Sequence, residues 1–180
     1  MSGSPVTGPD YARVNRQYVA MTTEEVWRFI DSQKVMYAAF VDENEYPHVT
    51  PVWHVSIGES LYFRATSNKV KAKLADNAKV CCTLADGEGF TELRGAVIRG
   101  RSRVLADPDL IQRCNELMDA KYTGLRSRDL GVPGRWLEAR DSEASTMIEV
   151  TPEKISSWDN SKLEAWEPTG PATPDAAKVN

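Results

Sequence analysis

The sequence predicts an α+β fold built on an antiparallel β-barrel. Three observations carry that prediction. The predicted elements run helix, strands, helix, strands, rather than alternating strand with helix as a parallel sheet requires. The first strands are joined by turns too short for a parallel crossover. The longest strand-like run holds two glycines, the kind of bend or bulge a closing barrel needs. At 180 residues the chain suits one domain with a substantial core.

"MTTEEVWRFIDSQ" is predicted as the first helix. Thr22 and Glu25 fit a capping box, in which each side chain satisfies a backbone amide at the other's position. Val26, Trp27, Phe29 and Ile30 supply its apolar stripe. "VMYAAFV" follows as a strand and ends at the turn "DENEYP". "HVTPVWHVSI", stopped by Gly58, and "SLYFRAT" complete an antiparallel meander. After the lysine-rich stretch "TSNKVKAKLADNAKV" come "KVCCTLAD" and the long run "LRGAVIRGRSRVLAD". "DPDLIQRCNELMDAKY" is a second helix, with Asp107 as N-cap and Pro108 at the first helical position. Its buried stripe is Leu110, Ile111, Cys114, Leu117 and Met118. The connection from Thr123 to Glu143 lacks periodicity, and loops of that length are usually functional or disordered. "STMIEVTP" and "KISSWD" read as closing strands. The expected organisation is a flexible arm over 1–20, a folded domain over 21–164 and a disordered tail over 165–180.

The net charge of -4 argues against a general nucleic-acid binder. No apolar run is long enough to span a membrane, and the N-terminal stretch has no signal-peptide core, so a cytoplasmic location is expected. Cys81, Cys82 and Cys114 are odd in number and read as reduced core thiols. No Cys-x-x-Cys spacing and only two histidines leave little basis for a metal site. Neither GxGxxG nor a P-loop is present, and no serine triad is visible.

Four features bear on chemistry. Lys69, Lys71, Lys73 and Lys79 cluster after a strand, directly behind the hydroxyls of Thr66 and Ser67. Such a cluster is either a solvated face or an anion nest at a strand-to-helix junction. Pro51 inside "PHVTPVWHV" removes a ladder donor, so this strand is either an ordinary one with a kink or an edge whose freed groups near Thr50, Val52 and Trp53 face a flat heterocycle. His48 and His54 are an even number apart and can share one face of a strand, although a third ligand is lacking. Trp136 and Trp158 lie where an aromatic ligand or a subunit interface would find them, with core packing the alternative.

"EYPHVTPVWHV", "SLYFRATSNKVKAKLADNAKV", "LRGAVIRGRSRVL" and "ISSWD", in that order, resemble the pyridoxamine 5'-phosphate oxidase-like split β-barrel superfamily. Within it the chain looks most like the B group of flavin/deazaflavin-dependent oxidoreductases. The resemblance spans Thr22 to Leu163 and implies a six-stranded antiparallel split β-barrel (an FMN-binding split barrel) with flanking helices. It implies a homodimer with a cofactor at the subunit interface, either coenzyme F-420, a deazaflavin, or FMN. The ring would lie along Thr50, Pro51, Val52 and Trp53. Arg64, Thr66, Ser67, Lys69 and Lys71 would hold the phosphate. Leu93, Arg94 and Gly95 would approach from the partner subunit. Without a gap, the position of the family's phosphate lysine is Val70, flanked by Lys69 and Lys71. The implied reaction is hydride transfer to an unsaturated small organic substrate, and no catalytic side chain carries over. A split barrel that binds a cofactor or haem without catalysis is the alternative, and the two histidines matter only for haem.

Overall fold

The computed structural model describes residues 18–42, 44–65, 74, 76–125, 130–131 and 146–165. Helix α1 (Thr23–Ser32) is followed by β1 (Met36–Val41), β2 (Pro47–Val52), β3 (His54–Ile57) and β4 (Ser60–Ala65). Then come β5 (Asp76–Asp86), β6 (Arg94–Val104), α2 (Pro108–Lys121), β7 (Thr146–Asp159) and a closing 3-10 turn, Asn160–Ala165. Every strand pairing is antiparallel.

The strands form one sheet in the order β2-β1-β5-β6-β7-β4-β3. Its two edges, β2 and β3, are consecutive in the chain and separated by Trp53 alone. One residue spans at most about 3.6 Å, so the sheet must curl until its edges meet at that point. This is an α+β split barrel, with seven strands where six were expected. The run "HVTPVWHVSI" does not form one strand: it leaves β1 at Val52 and joins β4 at His54. Conversely, "STMIEVTP" and "KISSWD" are a single strand, β7. The extra residue Glu153 is absorbed between the pairs Gly100–Pro152 and Arg99–Lys154. A Cβ on Gly100 would lie 2.2 Å from the Thr151 carbonyl oxygen, which is why glycine stands at this bend. Strand β5 also begins at Asp76, before Lys79.

The capping box of α1 forms as read: the Thr22 amide donates to Glu25 Oε2 at 2.7 Å, and the Glu25 amide to Thr22 Oγ1 at 3.3 Å. Val26, Phe29 and Ile30 enter the barrel core with Met36, Phe63, Leu84 and Ile98, and Trp27 packs against it half-buried. Helix α2 is capped by Asp107, which accepts from the amides of Asp109 and Leu110. Cys114 and Met118 are buried in a second cluster with Val55, Tyr62 and Met147, so α2 covers one part of the sheet's outer face. Cys82 is buried and its neighbour Cys81 half-buried, as opposite faces of one strand require, and both are free thiols.

Candidate functional site

Thr50 to Trp53 occupy the free edge of the sheet. Strand β2 is bonded on one side only, to β1, and is exposed along both faces from Pro47 to Val49. Edge position explains its two prolines, because a missing N–H costs nothing where it would face away from the ladder. Thr50 and Val52 are half-buried, Pro51 is exposed, and Val52 packs against the core.

Trp53, at the point where the barrel splits, is 39% exposed. Its ring stacks on Tyr122, with centroids 4.3 Å apart and planes within 5°. Tyr122 follows α2 directly and is fully buried. Its hydroxyl accepts from the His54 amide and lies 2.9 Å from the carbonyls of both His54 and Lys34. One phenol thus meets the backbone amide and carbonyl of His54 at the seam and links the end of α2 to the segment before β1. Burial pushes the phenol up to about 12, so it stays protonated and able to donate.

His54 is not on a face shared with His48. The break at Trp53 puts them on strands at opposite edges of the sheet. His48 is exposed on β2, its ring tilted against Phe40 at 4.7 Å. His54 has no exposed surface. Its Nε2 donates to the Ile30 carbonyl at 3.0 Å, which leaves Nδ1 buried with a lone pair and no partner. Burial, with the Lys121 ammonium 3.3 Å from Nε2, lowers its pKa to about 4. Burial likewise lowers Lys121 to about 8.

Arg64 is brought to the same seam, because Phe63 pairs with His54. Its guanidinium donates to Asn115 Oδ1 of α2 at 2.5 Å. The chain leaves β4 at Ala65, immediately beside this point, toward Thr66, Ser67, Lys69, Val70 and Lys71, which lie outside the described residues. So do Trp136, Trp166 and most of the connection from Thr123 to Glu143.

Leu93, Arg94 and Gly95 are elsewhere. Gly95 is three strands from β2, across β5 and β1, which is about 14 Å along the sheet. Leu93 is exposed. Arg94 is engaged within its own chain: it donates to Asp86 at 2.8 Å and lies 5.5 Å from the centre of the Phe29 ring. The Asp86 carboxyl is held below its usual range by that hydrogen bond. Gly95 is covered by Trp158, whose ring atoms would stand 2.4 Å from a Cβ at this position. Trp158, on β7, therefore packs over Gly95 of β6.

Sequence reasoning missed Tyr122. A signal existed, since Cys114, Met118 and Tyr122 recur every four residues and continue the α2 stripe. Among the described residues, no group of three metal-ligating side chains is close enough to hold a metal. No helix among them is long and apolar enough to cross a membrane.

A family model described as pyridoxamine 5'-phosphate oxidase matches residues 22–157. Among solved structures, a conserved hypothetical protein from Mycobacterium tuberculosis is similar at 20% identity and a TM-score of 0.68, covering 91% of this chain and 99% of that one. The FAD binding protein from Mycobacterium smegmatis is similar at 14% identity and a TM-score of 0.57, covering 77% and 94%. HutZ, the haem storage protein from Vibrio cholerae, is similar at 12% identity and a TM-score of 0.54, covering 74% and 92%. At these identities the likeness is one of fold. No curated protein matches the chain.

Proposed function

Because the chain belongs to the pyridoxamine 5'-phosphate oxidase family, we propose that it is an oxidoreductase using coenzyme F-420 to reduce an unsaturated small organic substrate. The observation that carries this reading is the edge strand β2 ending at Trp53. An exposed strand with free backbone groups, followed by an aromatic ring stacked on Tyr122, fits a flat tricyclic ring. Thr50, Pro51, Val52 and Trp53 would bind that ring. Arg64 and the segment with Thr66, Ser67, Lys69 and Lys71 would take its phosphate. A bound deazaflavin supplies the hydride chemistry. The chain's own part is to orient the ring and keep water from one of its faces.

The same reading makes the protein a homodimer. Tyr37 and Val49, exposed on the outer face of β1 and β2, are apolar surface that a second copy would cover. Leu93, Arg94 and Gly95 would then reach the ring from the partner. A second reading keeps the site and replaces F-420 with FMN. The likeness in fold to a FAD binding protein favours it. A haem-binding role rests on His48 alone, because His54 is buried.

The test is a spectroscopic titration of the purified protein with coenzyme F-420, FMN and haem. The expected result is micromolar binding of F-420. Lys69→Ala combined with Lys71→Ala should weaken it by about 1–3 kcal/mol, the scale of charge-assisted hydrogen bonds. Failure of F-420 and FMN alike to bind at micromolar concentration would overturn the enzyme reading. An unchanged dissociation constant in the double variant would return the lysines to the role of a solvated face.

A further inference from the structure

The outer face of β5, β6 and β7 carries a charge pattern that works against the sheet. Residues directly opposite in an antiparallel pair have their side chains close together, and like charges there are destabilising. Lys79 lies opposite Arg101, and Arg99 lies opposite Lys154. Four cations thus meet on three strands of a chain whose net charge is -4. Glu153, the bulged residue, supplies a carboxylate, and Arg101 Nε holds it at 2.9 Å. Lys79, Arg99 and Lys154 are exposed, and no ion pair among the described residues uses them. These three side chains line one groove of about 560 Å³, together with the Arg101-paired Glu153 and the apolar Ala39, Val41 and Pro47. Folding does not need this pattern, since one acidic residue at position 154 would relieve it.

We infer that the groove is a binding site for an amphipathic anion: a phosphate or carboxylate borne on a small apolar body. Arg99 offers a planar fork for the anion, and Lys79 and Lys154 add point charges. Ala39, Val41 and Pro47 receive the apolar part. Bound anion cancels the repulsion, so occupancy and stability rise together. The groove lies at the Pro47 end of β2. Thr50, the nearest residue proposed to hold the cofactor ring, is three residues from Pro47, about 10 Å along the strand, so the two sites are neighbours with separate lining residues.

The experiment titrates phenyl phosphate, inorganic phosphate and phenol into the full chain at fixed ionic strength, with calorimetry and thermal unfolding as readouts. Phenyl phosphate is expected to bind, to raise Tm, and to bind about tenfold or more tighter than inorganic phosphate, with phenol not binding. Lys154→Glu is expected to raise Tm without ligand and to weaken phenyl phosphate about tenfold or more. Arg99→Gln should weaken it similarly, and both variants should keep wild-type affinity for F-420 or FMN. No binding of phenyl phosphate at millimolar concentration overturns the inference. So does equal affinity for phenyl and inorganic phosphate, or unchanged affinity in both variants. Parallel loss of F-420 or FMN binding in these variants would assign the anion to the cofactor site and also overturn it.

Discussion

His54 shows how one side chain can be costly and still be kept. It is sealed between α1 and α2, engages only Nε2, with the Ile30 carbonyl and the Lys121 side chain beside it, and leaves Nδ1 unpaired. Its folded pKa of about 4 lies below the usual 6.5. Between those values the unfolded chain takes up a proton that the folded chain refuses. The His54 contribution to stability is therefore complete above pH 6.5 and is lost as pH falls toward 4, by about 3 kcal/mol over the window. Urea midpoints measured across that range should show the decline, and His54→Gln should flatten it. Tyr122 is the second decisive residue. Tyr122→Phe keeps the ring on Trp53 but strips partners from the backbone groups of His54 and Lys34. An expected loss of about 1–3 kcal/mol in urea unfolding follows from leaving buried polar groups unpaired. Neither residue's role was legible beforehand: the histidine's burial and the tyrosine's partners come from segments 68 and 88 residues apart in sequence.

Among the elements, β6 is the one whose sequence describes it best. Its alternation appears as read, with Ala96, Ile98 and Gly100 inward and Arg99 outward. The glycine bend predicted from composition lies at Gly100, against the β7 bulge. Gly95 has a different reason, the Trp158 ring seated where its side chain would be. Gly95→Ala should cost about 1–3 kcal/mol through overpacking, read as a lowered Tm. Removing the Trp158 ring in the same chain should recover part of that loss. Both helices were legible down to their caps, because Thr22 and Asp107 act on amides two or three residues away. The strand "HVTPVWHVSI" was not. Its apolar pattern continues through Trp53, and only the two different pairing partners on either side divide it.

For the whole molecule, the expected outcome is a dimer through the outer face of β1 and β2. Tyr37→Asp with Val49→Asp should shift the sedimenting species from dimer to monomer, since two buried charges face the partner's apolar surface. A wild-type monomer at tens of micromolar would remove the interface and, with it, the role proposed for Leu93, Arg94 and Gly95. The sequence by itself determined the class of fold, the helices and the family, because these rest on short-range periodicity, caps and the order of motifs. Only the tertiary structure decided where the barrel closes. It also separated His48 from His54, set Arg94 against Asp86, and lined up like charges across β5, β6 and β7. The physical reason is the same in each case. Register and sheet order are chosen by contacts between residues far apart in the chain, and no local pattern records which strand will lie beside which.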